Sequence, residues 1–193
     1  MKIAIIRYNA GNIESVSNAL RKLGVEPVIT GNPQTIRNAD KVIFPGVGEA
    51  SSAMAYLRYQ QLDKLLLSLE QPVLGICLGM QLMCDYSTEG NTKCLGLIPG
   101  KVEKFTVPRK VPHMGWNQIR NLKSPVFKGI EDDSYVYFVH SYYVGESNYT
   151  IAASDYETDF SAALQYENYY ATQFHPEKSG VTGMKILKNF IEL

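Results

Sequence analysis

From Pro72 to Gln81 the chain reads PVLGICLGMQ, an apolar run with the look of a buried strand that is broken at Gly75 and Gly79, with Cys77 midway between them. Most free cysteines are small core fillers, and a Gly-flanked cysteine at a crowded strand end is one reading of this stretch. The other is a nucleophile elbow. Gly-x-Cys-x-Gly at a strand-to-helix junction permits the tight, strained turn that lifts a nucleophile above a sheet. The helix that begins with LGMQLM then points its N-terminal amides at the sulfur, favouring thiolate and offering the Leu78 N–H to a developing oxyanion.

Outward from this junction, the first half of the chain alternates short β-like runs with helical patterns. KIAIIR is followed by Ile13, Val16, Leu20 and Leu23 at helical spacing, then by EPVIT and KVIFPG. Asn12 can cap the first helix and Gly24 can end it, while a Leu-rich segment from Leu57 to Leu69 leads into PVLGI. This βαβ punctuation predicts a mostly parallel sheet with helices on both faces. From about residue 95 the β-like runs KVEKF, SYVYFVH, YTIAAS, FSAALQY and YYATQFH crowd together, predicting an antiparallel extension. The pattern Met184, Leu187, Phe190 and Ile191 predicts a last helix docked on the sheet. Without repeats, low-complexity tracts or a linker, the 193 residues are expected to form one domain.

Nineteen basic and nineteen acidic residues leave no net charge, so no global field draws the chain to nucleic acid or to an anionic membrane. A small polar substrate or a protein partner suits this balance better. No apolar run approaches the ~20 residues that span a bilayer, and MKIAII meets Arg7 too early for a signal-peptide core. Cysteines 77, 84 and 94 form no Cys-x-x-Cys, and histidines 113, 140 and 175 are scattered without metal-ligand spacing. Reduced thiols in the cytoplasm, and no metal or other cofactor, are therefore expected.

A thiol nucleophile needs a base, and QFHPE at the end of the run YYATQF supplies one. Pro176 pushes His175 towards an extended conformation, which sets His175 and Glu177 on one side of the chain. The carboxylate can orient the imidazole and stabilise its protonated form. His113 and His140 lack so near a carboxylate. In FPGVGEA, at another strand end, Gly46 and Gly48 allow unusual dihedral angles and presentation of backbone amides, although Pro-Gly is also a common structural turn.

Together GICLGMQ, FPGVGEA and QFHPEKSG resemble the triad, or class I, glutamine amidotransferases over the whole chain. The resemblance implies a flavodoxin-like fold and hydrolysis of glutamine to glutamate and ammonia through a cysteine thioester. It implies Cys77 as nucleophile, His175 as general base and acid, Glu177 as its orienting partner, and Leu78 and Val47 as oxyanion donors. For the substrate it points to Gly48, Gln81, Glu89 and backbone groups around Ser141 and Tyr142. Glu89, in the stretch STEGN, reads equally well as a solvated loop charge.

Within the family, NAGNIESV, PGVGEASSAM, VPHMGWN, VYFVHSYY and FHPEKSG resemble the glutaminase subunits of imidazole glycerol phosphate synthases. RYNAGN departs from that pattern, standing where relatives more often have an acidic residue and a glycine before Gly-Asn. The resemblance implies a heterodimer with a cyclase subunit built as a (β/α)8 barrel. The chain has no Walker loop or Rossmann fingerprint, which fits an acceptor nucleotide held by another subunit. Met114, Trp116 and Lys178 are candidate contacts with it, core packing being the competing role for Trp116. A related glutaminase feeding another synthase, a non-catalytic regulatory partner of the same fold, and a thiol peptidase or esterase are the alternatives.

Overall fold

The computed structural model describes residues 1–8 and 12–193. Its first half runs β1 (Ile3–Ile6), α1 (Ile13–Lys22), β2 (Val28–Thr30), α2 (Pro33–Arg37), β3 (Lys41–Gly46), α3 (Ala50–Tyr59), α4 (Leu62–Leu66), β4 (Val73–Cys77) and α5 (Leu78–Met83). Then come β5 (Tyr86–Ser87), β6 (Thr92–Lys93), β7 (Lys101–Lys104), β8 (His113–Ile119), β9 (Ser134–His140) and β10 (Tyr142–Val144). The chain ends with β11 (Thr150–Asp155), β12 (Asp159–Tyr166), β13 (Tyr169–Thr172) and α6 (Gly180–Glu192).

The main sheet has the order β11-β12-β13-β4-β3-β1-β2. Pairing is parallel from β13 across to β2, and β12 and β11 extend that sheet in antiparallel fashion. A sheet covered on both faces needs strands apolar on both faces, and β1 shows why MKIAII reads as it does. Ile3 and Ile5 join one core with Val16 and Leu20 of α1 and Leu187 and Phe190 of α6. Ala4 and Ile6 join the other with Ile36, Leu57, Leu66 and Met80, from the helices of the opposite face. Gly24 follows α1 at φ 80°, the left-handed residue that stops a helix.

Three expectations are corrected. KVEKF and SYVYFVH do not extend the main sheet: β7 belongs to a small sheet of order β10-β7-β5-β6, and β8 and β9 form a separate antiparallel ribbon. Their alternation of buried and exposed residues covers a core with one face only, which distinguishes them from the doubly buried β11 and β12. Asn12 precedes α1 but does not cap it, because its backbone is left-handed at φ 76° and its side chain is engaged elsewhere. Gly46 is not a freely turning residue: a Cβ there would collide with the Tyr8 hydroxyl and press on Leu78 and Gly79. Asn9, Ala10 and Gly11, shared by the NAGNIESV stretch and the RYNAGN departure, lie outside the described residues. Among the described residues no helix is long and apolar enough to cross a membrane.

Candidate active site

In doubly wound sheets ligands sit beyond the carboxyl ends of the parallel strands, and here the ends of β3, β4 and β13 converge. At the end of β4, Cys77 adopts φ 54° and ψ −110°. A non-glycine residue held there costs on the order of 1–3 kcal/mol. The flanking glycines let α5 settle onto the sheet: a Cβ on Gly79 would enter the Phe44 carbonyl of β3, and one on Gly75 would come 3.1 Å from the Gly79 carbonyl carbon. Leu78 opens α5, so its N–H has no intrahelical acceptor and lies beside the sulfur-bearing residue.

His175 lies just beyond β13, with its backbone extended at φ −98°, ψ 97°. Its Nδ1 is 2.8 Å from Glu177 Oε1, and both side chains are almost wholly buried. Strand alternation does not bring the pair together. Pro176–Lys178 forms a 3-10 turn that folds the carboxylate back over the imidazole. The backbone of His175 is stapled to β9: its N–H donates to the Tyr137 carbonyl, and the Ser179 hydroxyl donates to the His175 carbonyl while accepting from the Tyr137 N–H. Burial opposes charge on His175, but the Cys77 sulfur beside it and the Glu177 carboxylate that holds Nδ1 outweigh it, raising the imidazole above its ordinary range. His175 Nε2 and Glu177 Oε2 are buried without hydrogen-bond partners among the described residues. Asn12 completes this group. Its amide donates to Glu177 Oε1 and lies 3.4 Å from His175 Nδ1.

A cavity of about 330 Å³ opens above the sulfur, lined by Cys77, His175, Val47, Gly48, Leu78, Gln81, Glu89, Pro112, Val139, His140, Ser141 and Tyr142. All the residues expected around substrate thus border one cavity. Glu89 is half-buried there, and its Oε2 accepts from the Ala50 N–H at the start of α3 at 2.8 Å. Burial, only partly offset by that bond, raises the Glu89 carboxyl above its ordinary value. Gly48 takes φ 110°, with open space where a side chain would be.

The remaining expected residues stand elsewhere. Met114 and Trp116 are 62% and 55% exposed on the outer face of β8, so core packing is not the role of Trp116. Tyr135 of β9 is exposed on the same ribbon face, and Lys178, the last residue of the Pro176–Lys178 turn, is exposed too. His113 and His140 instead pair with each other, Nδ1 to Nε2 at 3.0 Å. Burial holds both neutral: it drives His113 down to about 4, with nearby Arg109 adding, and His140 to about 3. Three contributors escaped the sequence reading, namely Asn12, Gln173 and Ser179. Asn12 is 165 residues from Glu177, Gln173 is 96 from Cys77, and Ser179, though only four from His175, ties it to Tyr137 42 residues away; no local pattern encodes such long-range contacts. No group of three or more His, Cys, Asp or Glu among the described residues is arranged to hold a metal ion.

Comparison with known proteins gives the same direction. The family model for glutamine amidotransferase class-I matches residues 4–193. The "Imidazole glycerol phosphate synthase subunit HisH" of Bacteroides fragilis is 59% identical over 197 residues, covering 100% of both chains. Its counterpart in Pasteurella multocida is 49% identical, covering 98% of this chain and 97% of the relative. A solved glutamine amidotransferase shares the fold at a TM-score of 0.77 and 16% identity, covering 98% of this chain and 97% of its own. With a match running from β1 to the last residue, the chain belongs to the class I glutamine amidotransferase family.

Proposed function

We propose that the chain is the glutaminase subunit of an imidazole glycerol phosphate synthase, acting in histidine biosynthesis as a single domain over residues 1–193. The observation that carries the reading is the convergence of a strained, Gly-flanked Cys77 and a Glu177-paired His175 on one cavity. The full-length relatives named as subunits of that synthase supply the acceptor pathway.

Cys77 Sγ gives its proton to His175 Nε2 and attacks the side-chain carboxamide carbon of glutamine. The negative charge on oxygen is met by the N–H groups of Leu78 and Val47. As the C–N bond breaks, His175 returns the proton to nitrogen and ammonia leaves a glutamyl thioester. Water, deprotonated by His175, then releases glutamate and the thiol. Glu177 keeps Nδ1 protonated and stabilises the imidazolium, and Asn12 fixes the carboxylate. Gln81, Glu89 and the backbone at Ser141 and Tyr142 hold the amino-acid end of the substrate, with Glu89 Oε1 facing its ammonium. Ammonia released into neutral water would mostly become unreactive ammonium, so it passes directly to the partner. That partner is a cyclase with a (β/α)8 barrel, forming a heterodimer across the apolar ribbon face of Met114, Trp116 and Tyr135, with Lys178 at its edge.

The test has two arms: complementation of a histidine auxotroph lacking this subunit, and glutamine-dependent synthesis by the copurified complex. Cys77→Ala is expected to abolish glutamine-dependent turnover and to retain ammonia-dependent synthesis. Loss of both activities, or failure to complement, refutes the division of labour.

A further inference from the structure

Gln173 is fully buried, two residues before His175, and has no part in the mechanism above. Its side chain links two groups that do. Gln81 Nε2 donates both to the Tyr142 carbonyl and to Gln173 Oε1, each at 3.0 Å, and Gln173 Nε2 lies 3.8 Å from Cys77 Sγ. The directions are forced. A backbone carbonyl can only accept, so the Tyr142 oxygen fixes which end of the Gln81 amide faces it. Gln81 therefore presents N–H to Gln173, Gln173 must present oxygen to Gln81, and its own NH2 is turned onto the sulfur. The Tyr142 carbonyl is anchored in turn by His140 Nδ1 at 2.8 Å, whose Nε2 accepts from His113 Nδ1. The other hydrogen-bonding neighbour of the sulfur is the Val139 carbonyl at 3.8 Å, which suits a thiol and opposes a thiolate.

We propose that Gln173 is a catalytic residue: its amide donates to Cys77 Sγ and stabilises the thiolate formed when the proton passes to His175 Nε2, in an orientation imposed through Gln81 by the Tyr142 carbonyl. The proposal deepens the glutaminase reading and rests on it. The titratable groups around the sulfur are His175, with Glu177 and His140 behind it, and Tyr8 from the end of β1. Tyr8 is neutral, its hydroxyl driven far up by burial first and by Cys77 second. Neither it nor the His175–Glu177 pair touches Gln173 through a hydrogen bond, so removing the amide leaves their contacts in place.

The experiment follows iodoacetamide alkylation of Cys77 in the full chain as a function of pH, with the modified residue identified by mass. Cys84 and Cys94 lie outside the cavity and burial raises both thiols, Cys94 to about 11, whereas Cys77 lines the cavity that admits the reagent. Gln173→Leu is expected to move the alkylation midpoint upward and slow the reaction at pH 7 about tenfold, the scale of one hydrogen bond to a charged group. Gln173→Glu, of the same shape but with a carboxylate facing the sulfur, is expected to move it further. Folded variants with the wild-type profile overturn the proposal. If neither variant folds, the 15N resonance of the wild-type Gln173 side chain decides, since it must titrate with Cys77, and a flat response overturns the proposal equally. None of these readouts uses glutamine, so failure here is distinct from absence of glutaminase activity.

Discussion

Asn12 stands at the head of a helix that it does not cap, because its amide is committed to Glu177, the carboxylate that orients His175. Asn12→Ala should therefore leave the fold intact and lower kcat for glutamine hydrolysis in the cyclase complex about tenfold, as expected for one hydrogen bond to a charged group. Asn12→Asp should be worse, since it sets a second carboxylate against a buried one. Equal kcat in all three proteins, by glutamate release, would place Asn12 outside the mechanism. Tyr8 and Gly46 make a second local case. The Tyr8 hydroxyl is buried without a partner among the described residues and occupies the space a Cβ on Gly46 would need. Gly46→Ala should cost on the order of 1–3 kcal/mol by overpacking. Tyr8→Phe removes an unsatisfied polar atom and should be neutral or stabilising. In urea denaturation the double variant should recover part of the Gly46→Ala loss, and strict additivity would contradict the clash.

At the scale of elements, the loop after β3 has the freedom a control point would need. Gly48 at φ 110°, with nothing within 4 Å of its missing side chain, leaves the Val47 peptide one open hinge, while Gly46 is fixed by packing. A glutaminase active without acceptor would waste substrate, so Val47 N–H should face the oxyanion only when partner and nucleotide are bound; one such donor is worth ~100 to 1,000-fold in rate. Glutamine hydrolysis by the subunit alone, the complex and the nucleotide-bound complex should rise in that order, and equal rate constants would eliminate the switch. The parallel half of the sheet was legible because strands buried on both faces are apolar throughout, as in KIAIIR and KVIFPG, and glycines mark their ends. The placement of β7 and the β8–β9 ribbon was not, since local alternation says that a strand has one wet face without saying which sheet it joins. Likewise QFHPE announced the histidine and carboxylate, but the amide chain through Gln81 and Gln173 exists only once β4, α5 and β13 are adjacent.

Across the whole molecule, three histidines with opposite electrostatic fates shape the pH range in which the fold is stable. His113 and His140 are buried neutral with folded values depressed from 6.5 to about 4 and about 3, so below 6.5 the unfolded chain binds protons that the native chain refuses. Their contribution is complete above 6.5 and shrinks as pH falls towards the folded values, at about 1.4 kcal/mol per pH unit for each proton taken up on unfolding. His175 has the reverse sign. Burial works against its charge, but Cys77 and Glu177 prevail and raise its folded value. Its contribution is therefore complete below 6.5 and is lost as pH rises through that raised value. These three groups together place maximum stability near 6.5, with an acid limb governed by the His113–His140 pair and an alkaline limb governed by His175. His113→Phe, whose ring would join Phe138, Tyr156 and Phe160, should remove one proton from the acid limb and flatten it. His175→Gln should flatten the alkaline limb and soften the acid one only slightly, since the His175 charge is the smallest of the causes acting on His140. Urea denaturation of the three proteins between pH 4 and 9 reads both slopes, and an acid limb that keeps its wild-type steepness in His113→Phe would show that the buried pair is not its source.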